Sequence, residues 1–214
     1  SSSLTITVTN LSDFTSVDLE AVIDNPQVRP SAGLFVESNG YVSMEADNYS
    51  RAINSSTVTW ERIPDIGRTG SAMTPFPVTM NRVTPGEGNA RLEYDMHLFS
   101  TGEVTVYIYL SPRQNVLHTD GLTFALSMDD SDPTSINITK TLDPLPYPEG
   151  KRGWERGVAD NVHIVSNKFA IAKAGKHTLK LWAVDPTVIV QKIVLDTGGL
   201  QESYLGPPES SVSK

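Results

Sequence analysis

Apolar and polar residues alternate along most of this chain. In "YVSMEAD" (residues 41–47), Val42, Met44 and Ala46 fall on one side of an extended backbone, and Tyr41, Ser43, Glu45 and Asp47 on the other. The same period of two runs through "SLTITVTN" (3–10), "VDLEAVI" (17–23), "STVTWERI" (56–63), "SAMTPFPVTM" (71–80), "ARLEYDMHLF" (90–99) and "EVTVYIYLSP" (103–112). It continues in "LTFALSMD" (122–129), "TSINITKTL" (134–142), "NVHIVSNKFAI" (161–171), "KHTLKLWAV" (176–184) and "VIVQKIVLD" (188–196). Turn-forming clusters such as "STGE", "HTDG", "DDSDP" and "VDPT" separate the runs. The pattern predicts about a dozen short strands and no helix. The nearest approach to a helical apolar stripe, "DFTSVDLEAVI" (13–23), reads equally well as an alternating strand. Such a chain is all-β, a β-sandwich of the jelly-roll kind around one main core.

Three regions break the alternation. "DNPQVRPSAGL" (24–34) predicts a linker, so residues 1–33 form N-terminal strands and linker ahead of a β-sandwich domain at 34–200. "DPLPYPEGKRGWERGVAD" (143–160) predicts a long Pro/Gly-rich loop, a length that is usually functional or disordered. Residues 201–214 end in "GPPESSVSK", a C-terminal tail with nothing to pack.

Composition narrows the function. A net charge of −8 argues against nucleic acid or an anionic membrane as partner. With no cysteine, disulfides, thiol catalysis and Cys-type zinc sites are all excluded. Four Asn-X-Ser/Thr sequons, at Asn10, Asn48, Asn54 and Asn137, point to a secreted glycoprotein. The opening "SSSLTITV" carries no signal-peptide pattern and reads as a fragment boundary.

Glu45 and Asp47 share a strand face and repel each other unless a positive charge lies near. Catalytic carboxylates must flank a sugar from opposite sides, whereas two acids on one strand face project in parallel. Two readings stay open: calcium ligands at a sheet edge, or a solvated face paired with nearby Arg or Lys. The four histidines show no metal-ligand spacing, and no G-x-S-x-G elbow is present. "GRTGSA" (67–72) is a Gly-bracketed turn rather than a phosphate loop. Trp154, in the long loop, has a flat face suited to stacking on a sugar ring, and the plainer reading is a Trp that anchors its own loop. Trp60 ends a strand before "ERIPDIGRTG", and Trp182 alternates with Leu as a packing residue. Arg68, Arg152, Arg156 and Lys151 are candidates for an acidic sugar, because guanidinium forks match carboxylates, or they are ordinary solvated charges.

With these residues in view, the chain resembles the C-terminal domain of glycoside hydrolase family 115, the xylan α-1,2-glucuronidases. The resemblance rests on "FVESNGYVSMEADNYSRA", the "W-x-x-I-P-D-I-G-R-T-G-S-A-M-T-P-F-P-V" run, "LEYDMHLFSTGEVTVYIYLSP", "HTLKLWAVDPTVIVQKIVLDTGG" and "SYLGPPES", and covers about residues 34–210. The family's catalytic machinery lies in preceding domains, so the resemblance implies that this chain alone is not an enzyme but an accessory domain. More distantly, "SMEAD" with the late "GKHTLKLW" and "VIVQKIVL" resembles carbohydrate-binding module families 6 and 35, galactose-binding-like sandwiches with a structural calcium. That likeness implies Glu45, Asp47 and Gln191 as metal ligands, with Gln191 standing where the family usually has Asp. Ile189 stands near the family's ligand-binding Asn.

The combined expectation is a secreted, non-catalytic module binding xylan or glucuronoxylan, with family 115 catalytic domains as its partner in cis. Trp154 would stack on a sugar, Trp60 or Tyr107 would line the site, and Arg68, Arg152 and Asn161 would hydrogen-bond it. The rival expectation is a structural domain that packs on the catalytic domains, or mediates dimerisation, without binding sugar.

Overall fold

A computed structural model describes residues 2–9, 12–13, 15–23, 29–117, 119–142 and 152–214. In chain order the elements are β1 (Ser2–Thr9), β2 (Ser16–Ile23), β3 (Phe35–Val36), β4 (Tyr41–Glu45), β5 (Arg51–Ile53), β6 (Thr59–Ile63), β7 (Ala72–Phe76) and β8 (Arg91–Leu98). Then follow β9 (Gly102–Leu110), β10 (Thr123–Met128), β11 (Thr134–Asn137), α1 (Ile138–Leu142), α2 (Arg152–Asp160), β12 (His163–Ile171), β13 (Gly175–Trp182) and β14 (Val190–Asp196).

Alternation builds the sandwich. In β8, Leu92, Tyr94, Met96 and Leu98 are wholly buried, and in β9 Val104, Val106, Ile108 and Leu110 join the same core. One six-stranded sheet runs β11-β10-β13-β8-β3, with β5 also on β8; the other runs β12-β9-β14-β7-β6, with β4 also on β14. The expected all-β sandwich is therefore present. On the outer face of β8, Glu93 and Asp95 stand two residues apart, and Arg51 bridges them at 2.7 and 3.0 Å. β1 and β2 form a separate two-stranded antiparallel sheet.

Four expectations need correction. "TSINITKTL" is not one strand: Asn137 Oδ1 accepts the Lys140 N–H at 3.0 Å, an N-cap that starts α1. The run 143–160 is not all loop, because α2 occupies its second half; residues 143–151 lie outside the described residues. Residues 33–34 belong to the fold rather than a linker, since the Gly33 N–H donates to Ser213 O and the Leu34 N–H to Ser213 Oγ. The C-terminal segment is packed as well. It crosses the outer face of the second sheet, hydrogen-bonds the edge of β4 through Ser210 and Ser43, and reaches β3 through the Val36 N–H and Ser211 O. A sheet edge covered in this way no longer offers unpaired backbone groups.

β14 contains a bulge between Val190 and Lys192. Val190 and Ile193 both enter the core, Lys192 lies on the outer face opposite Glu45, and the extra residue is Gln191. A bulge re-aims a side chain, and Gln191 is turned toward the end of the sandwich where α2 is seated.

Candidate functional site

α2 has poor helix-forming residues, with glycine at 153 and 157. Its end is well made. Asn161 takes φ 54° just past the helix; its N–H donates to Val158 O at 3.3 Å, and the Val162 N–H donates to Gly157 O at 3.0 Å. This is a Schellman termination. The Arg68 guanidinium closes it, donating from Nε at 3.0 Å and Nη2 at 2.6 Å to Asp160 O, which places a cation on the negative end of the helix dipole. Arg68 Nη1 donates to Tyr204 O, and the guanidinium lies 4.1 Å from the centroid of the Tyr204 ring. Gln191 completes the seat, donating to Asn161 O at 3.2 Å and Ser111 Oγ at 2.9 Å while accepting the Arg68 N–H at 3.1 Å.

So placed, α2 walls an open cavity of about 310 Å³ at one end of the sandwich. Trp154 and Val158 of α2 face Ser111, Pro112 and Arg113 at the end of β9, and Ile66, Asn161 and Ile189 complete the lining. The Trp154 ring is half-buried and stands edge-on to His163 at 5.5 Å, which fixes its plane. Ser111 Oγ is already an acceptor for Gln191, so its own O–H can donate into the cavity. Among the described residues, no ion pair or hydrogen bond engages the Arg113 guanidinium. None of the lining residues is an acid. The cavity thus offers a flat aromatic, a hydroxyl, an amide and a guanidinium around an apolar floor. It can hold a small polar ring by stacking and hydrogen bonds.

Of the expected sugar-binding residues, the structure brings Trp154 and Asn161 together at this cavity. Arg68 lies behind it, with its guanidinium committed to carbonyl groups. Arg152 opens α2, and its side chain lies outside the described residues. Trp60 is a correction: it is only 6 % exposed and packs in the main core, so it cannot meet a ligand. Tyr107 is also elsewhere, on the outer face of the second sheet beside Tyr109, Val194 and Leu200. Sequence reasoning missed Ser111 and Arg113; the only signal was a polar "SPR" closing a long alternating strand.

The expected calcium ligands do not converge. Glu45 Oε1 lies 3.1 Å from the Lys192 ammonium and accepts the Thr69 hydroxyl at 2.7 Å. Asp47 is held by Arg62 Nε at 2.8 Å. Both polar ends of Gln191 are taken as described above. One oxygen of each acid and both polar ends of Gln191 are thus engaged by protein cations and donors, which makes Glu45, Asp47 and Gln191 a poor match to a calcium site. Among the described residues no group of three or more His, Asp or Glu side chains is arranged to hold a metal.

Comparison with known proteins agrees with this architecture. The sequence model of the glycosyl hydrolase family 115 C-terminal domain matches residues 34–209. Among solved structures, a family GH115 4-O-methyl-α-glucuronidase with specificity for decorated arabinogalactans superposes with a TM-score of 0.53 at 19% identity. That match covers 85% of this chain and 20% of the glucuronidase, so this chain spans about a fifth of it. The C-terminal family 6 carbohydrate-binding module of a marine laminarinase from Zobellia galactanivorans gives a TM-score of 0.44 at 15% identity, over 73% of this chain and 98% of the module. A family 35 carbohydrate-binding module from Clostridium thermocellum gives 0.46 at 11% identity, over 72% and 97%. No curated protein sequence matches the chain.

Proposed function

Because this chain belongs to the glycosyl hydrolase family 115 C-terminal domain family, we propose that it is a non-catalytic carbohydrate-binding module serving family 115 catalytic domains in cis. Its ligand is a plant cell-wall polysaccharide carrying uronic acid, with glucuronoxylan first. The observation that carries this reading is the α2 cavity. Trp154 supplies a stacking face, Ser111 and Asn161 supply hydrogen-bonding groups, and Arg113, unpaired among the described residues, supplies a guanidinium matched to a carboxylate.

The cavity is at the low end of the size range of small-molecule sites, about 300–1,000 Å³. It accommodates a chain end or a branching sugar rather than a long stretch of backbone. With about 0.3 kcal/mol per heavy atom over roughly a dozen to twenty atoms, binding comes to about −4 to −6 kcal/mol, a Kd between about 1 mM and tens of micromolar. Action outside the cell fits both such a ligand and the four sequons.

Calorimetric titration with glucuronoxylan oligosaccharides, unsubstituted xylo-oligosaccharides and decorated arabinogalactan oligosaccharides tests the reading. Saturable heat that Trp154→Ala abolishes, with the fold intact by circular dichroism, is the expected result. Heat only for the arabinogalactan set would keep the module and replace the ligand. A folded sample giving no heat with any of them would make the chain a packing domain instead.

A further inference from the structure

The strongest unassigned feature lies away from the cavity, on the outer face of the second sheet. Register places Ile164 of β12, Tyr109 of β9, Lys192 of β14 and Glu45 of β4 in one row across four strands. Lys192 in that row is only 3 % exposed, an unusual place for a lysine. Its ammonium lies 3.1 Å from Glu45 Oε1, 3.1 Å from Pro207 O and 3.4 Å from Leu205 O. Three N–H donors thus meet three oxygens, one anionic and two carbonyl. The chain end is tied to the same spot a second time. Glu209 accepts the Glu45 N–H at 2.8 Å and the Asn48 side-chain amide at 2.9 Å. Gly206 lies on the Tyr109 ring, where an added β-carbon would come within 3.2 Å.

A carboxylate and two backbone carbonyls gathered at the junction of a strand and a crossing segment are the oxygen types that divalent hard cations use. Here a lysine already fills the position. We infer that Lys192 is a built-in cation that locks the C-terminal segment across the second sheet, so that the domain holds its fold and its strap without a divalent metal. The bulge in β14 makes this possible. Were β14 to alternate regularly from Val190 through Gln191 without a bulge, residue 192 would fall on the core face rather than opposite Glu45. The strap in turn covers Tyr109 and Ser43, and Tyr204 in it carries the Arg68 contact that seats α2. The lock therefore also supports the wall of the cavity.

The test compares thermal unfolding of the full chain in EDTA and in millimolar calcium chloride. The two midpoints should agree within about 1 °C, because an ion present at about 100 times its Kd would add about 2.7 kcal/mol, several degrees for a domain of this size. A rise of several degrees with calcium would overturn the inference. In the second arm, Lys192→Met should lower the midpoint by roughly 6–12 °C, the loss expected when one partner of a buried pair is removed. Backbone amides of Leu205, Gly206, Glu209 and Ser210 should then exchange faster while those of β8 and β9 stay protected. An unchanged midpoint with unchanged strap exchange would equally overturn it. The calcium arm uses the unaltered chain, so it decides even where Lys192→Met does not fold.

Discussion

Gly157 in α2 faces His163 in β12 so closely that a β-carbon on the glycine would fall 1.6 Å from His163 Cδ2. His163 is buried, so its ring has no free path away from that contact. The glycine is thus a docking surface: its missing side chain lets a short helix of weak propensity lie flat on the sheet and present Trp154 to the cavity.

Gly157→Ala sets two effects against each other. Alanine favours an isolated helix by about 1 kcal/mol, while overpacking against a buried ring costs about 1–3 kcal/mol. The steric effect wins, because the overlap is with the body of the ring rather than a flexible tip. The expected outcome is loss of glycan binding by at least about tenfold, with α2 amides exchanging faster than in the parent and the sandwich intact. Calorimetry together with hydrogen exchange over residues 152–160 checks this.

Arg68 acts on the same helix from its far end. It holds Asp160 O by two donors and Tyr204 O by a third. Arg68→Met keeps the stem and removes the donors, leaving carbonyl groups without partners at about 1–3 kcal/mol in total. Affinity for glycan should fall about 5- to 20-fold through displacement of Trp154. It should fall equally for acidic and neutral oligosaccharides, since Arg68 does not meet the ligand. A selective loss for acidic sugars would instead put its guanidinium in the site.

The sandwich was legible because its strands alternate, and alternation is a local property. α2 was not, because "RGWERGVAD" is a helix by docking rather than by propensity: Gly157 on His163, Arg68 on Asp160 and Gln191 on Asn161 are contacts across more than the local chain. The cavity draws on residues 66, 111–113, 154–161 and 189. Trp154 and Asn161 stood out by residue type and loop context, whereas Arg113 looked like any residue after a strand. Trp60 misled for the opposite reason. Its run alternates, and only the pairing of β6 with β7 shows which face turns inward. What Glu45 faces was the hardest to see. The answer, Lys192, lies 147 positions along the chain and depends on a one-residue bulge.

Arg113 gives the prediction that separates an acidic from a neutral ligand. Its guanidinium is exposed, so a charged hydrogen bond to a uronate is screened and contributes about 1–1.5 kcal/mol. Arg113→Gln should weaken glucuronoxylan oligosaccharides about 5- to 10-fold and leave unsubstituted xylo-oligosaccharides unchanged. Raising ionic strength to about 1 M, where the screening length is about 3 Å, should erode the parent's preference in the same direction.

The last prediction concerns pH. Burial raises the Glu37 carboxyl, but hydrogen bonds from the Ser100 and Thr197 hydroxyls and from the Ser100 and Phe99 N–H groups outweigh it, and the net shift is below the ordinary value of 4.5. Asp95 behaves alike: burial raises it, and Thr178, Arg51 and Lys176 hold it below its ordinary 3.8. A carboxylate depressed in the folded state adds stability that is present above its unfolded value and lost as pH falls through the folded one. The unfolding midpoint should therefore stay level from neutral pH to about 5 and drop steeply below about 4. Glu37 joins the end of β3, the β8–β9 turn and the end of β14 through four accepted hydrogen bonds. Glu37→Gln cannot ionise, and it replaces an acceptor-only group with one that also donates. The variant should start from a lower midpoint at pH 7 and show a shallower acid limb. Thermal melts from pH 7 to 3 on both proteins measure the two slopes, and parallel acid limbs would show that other carboxylates, Asp95 first among them, set the acid limit.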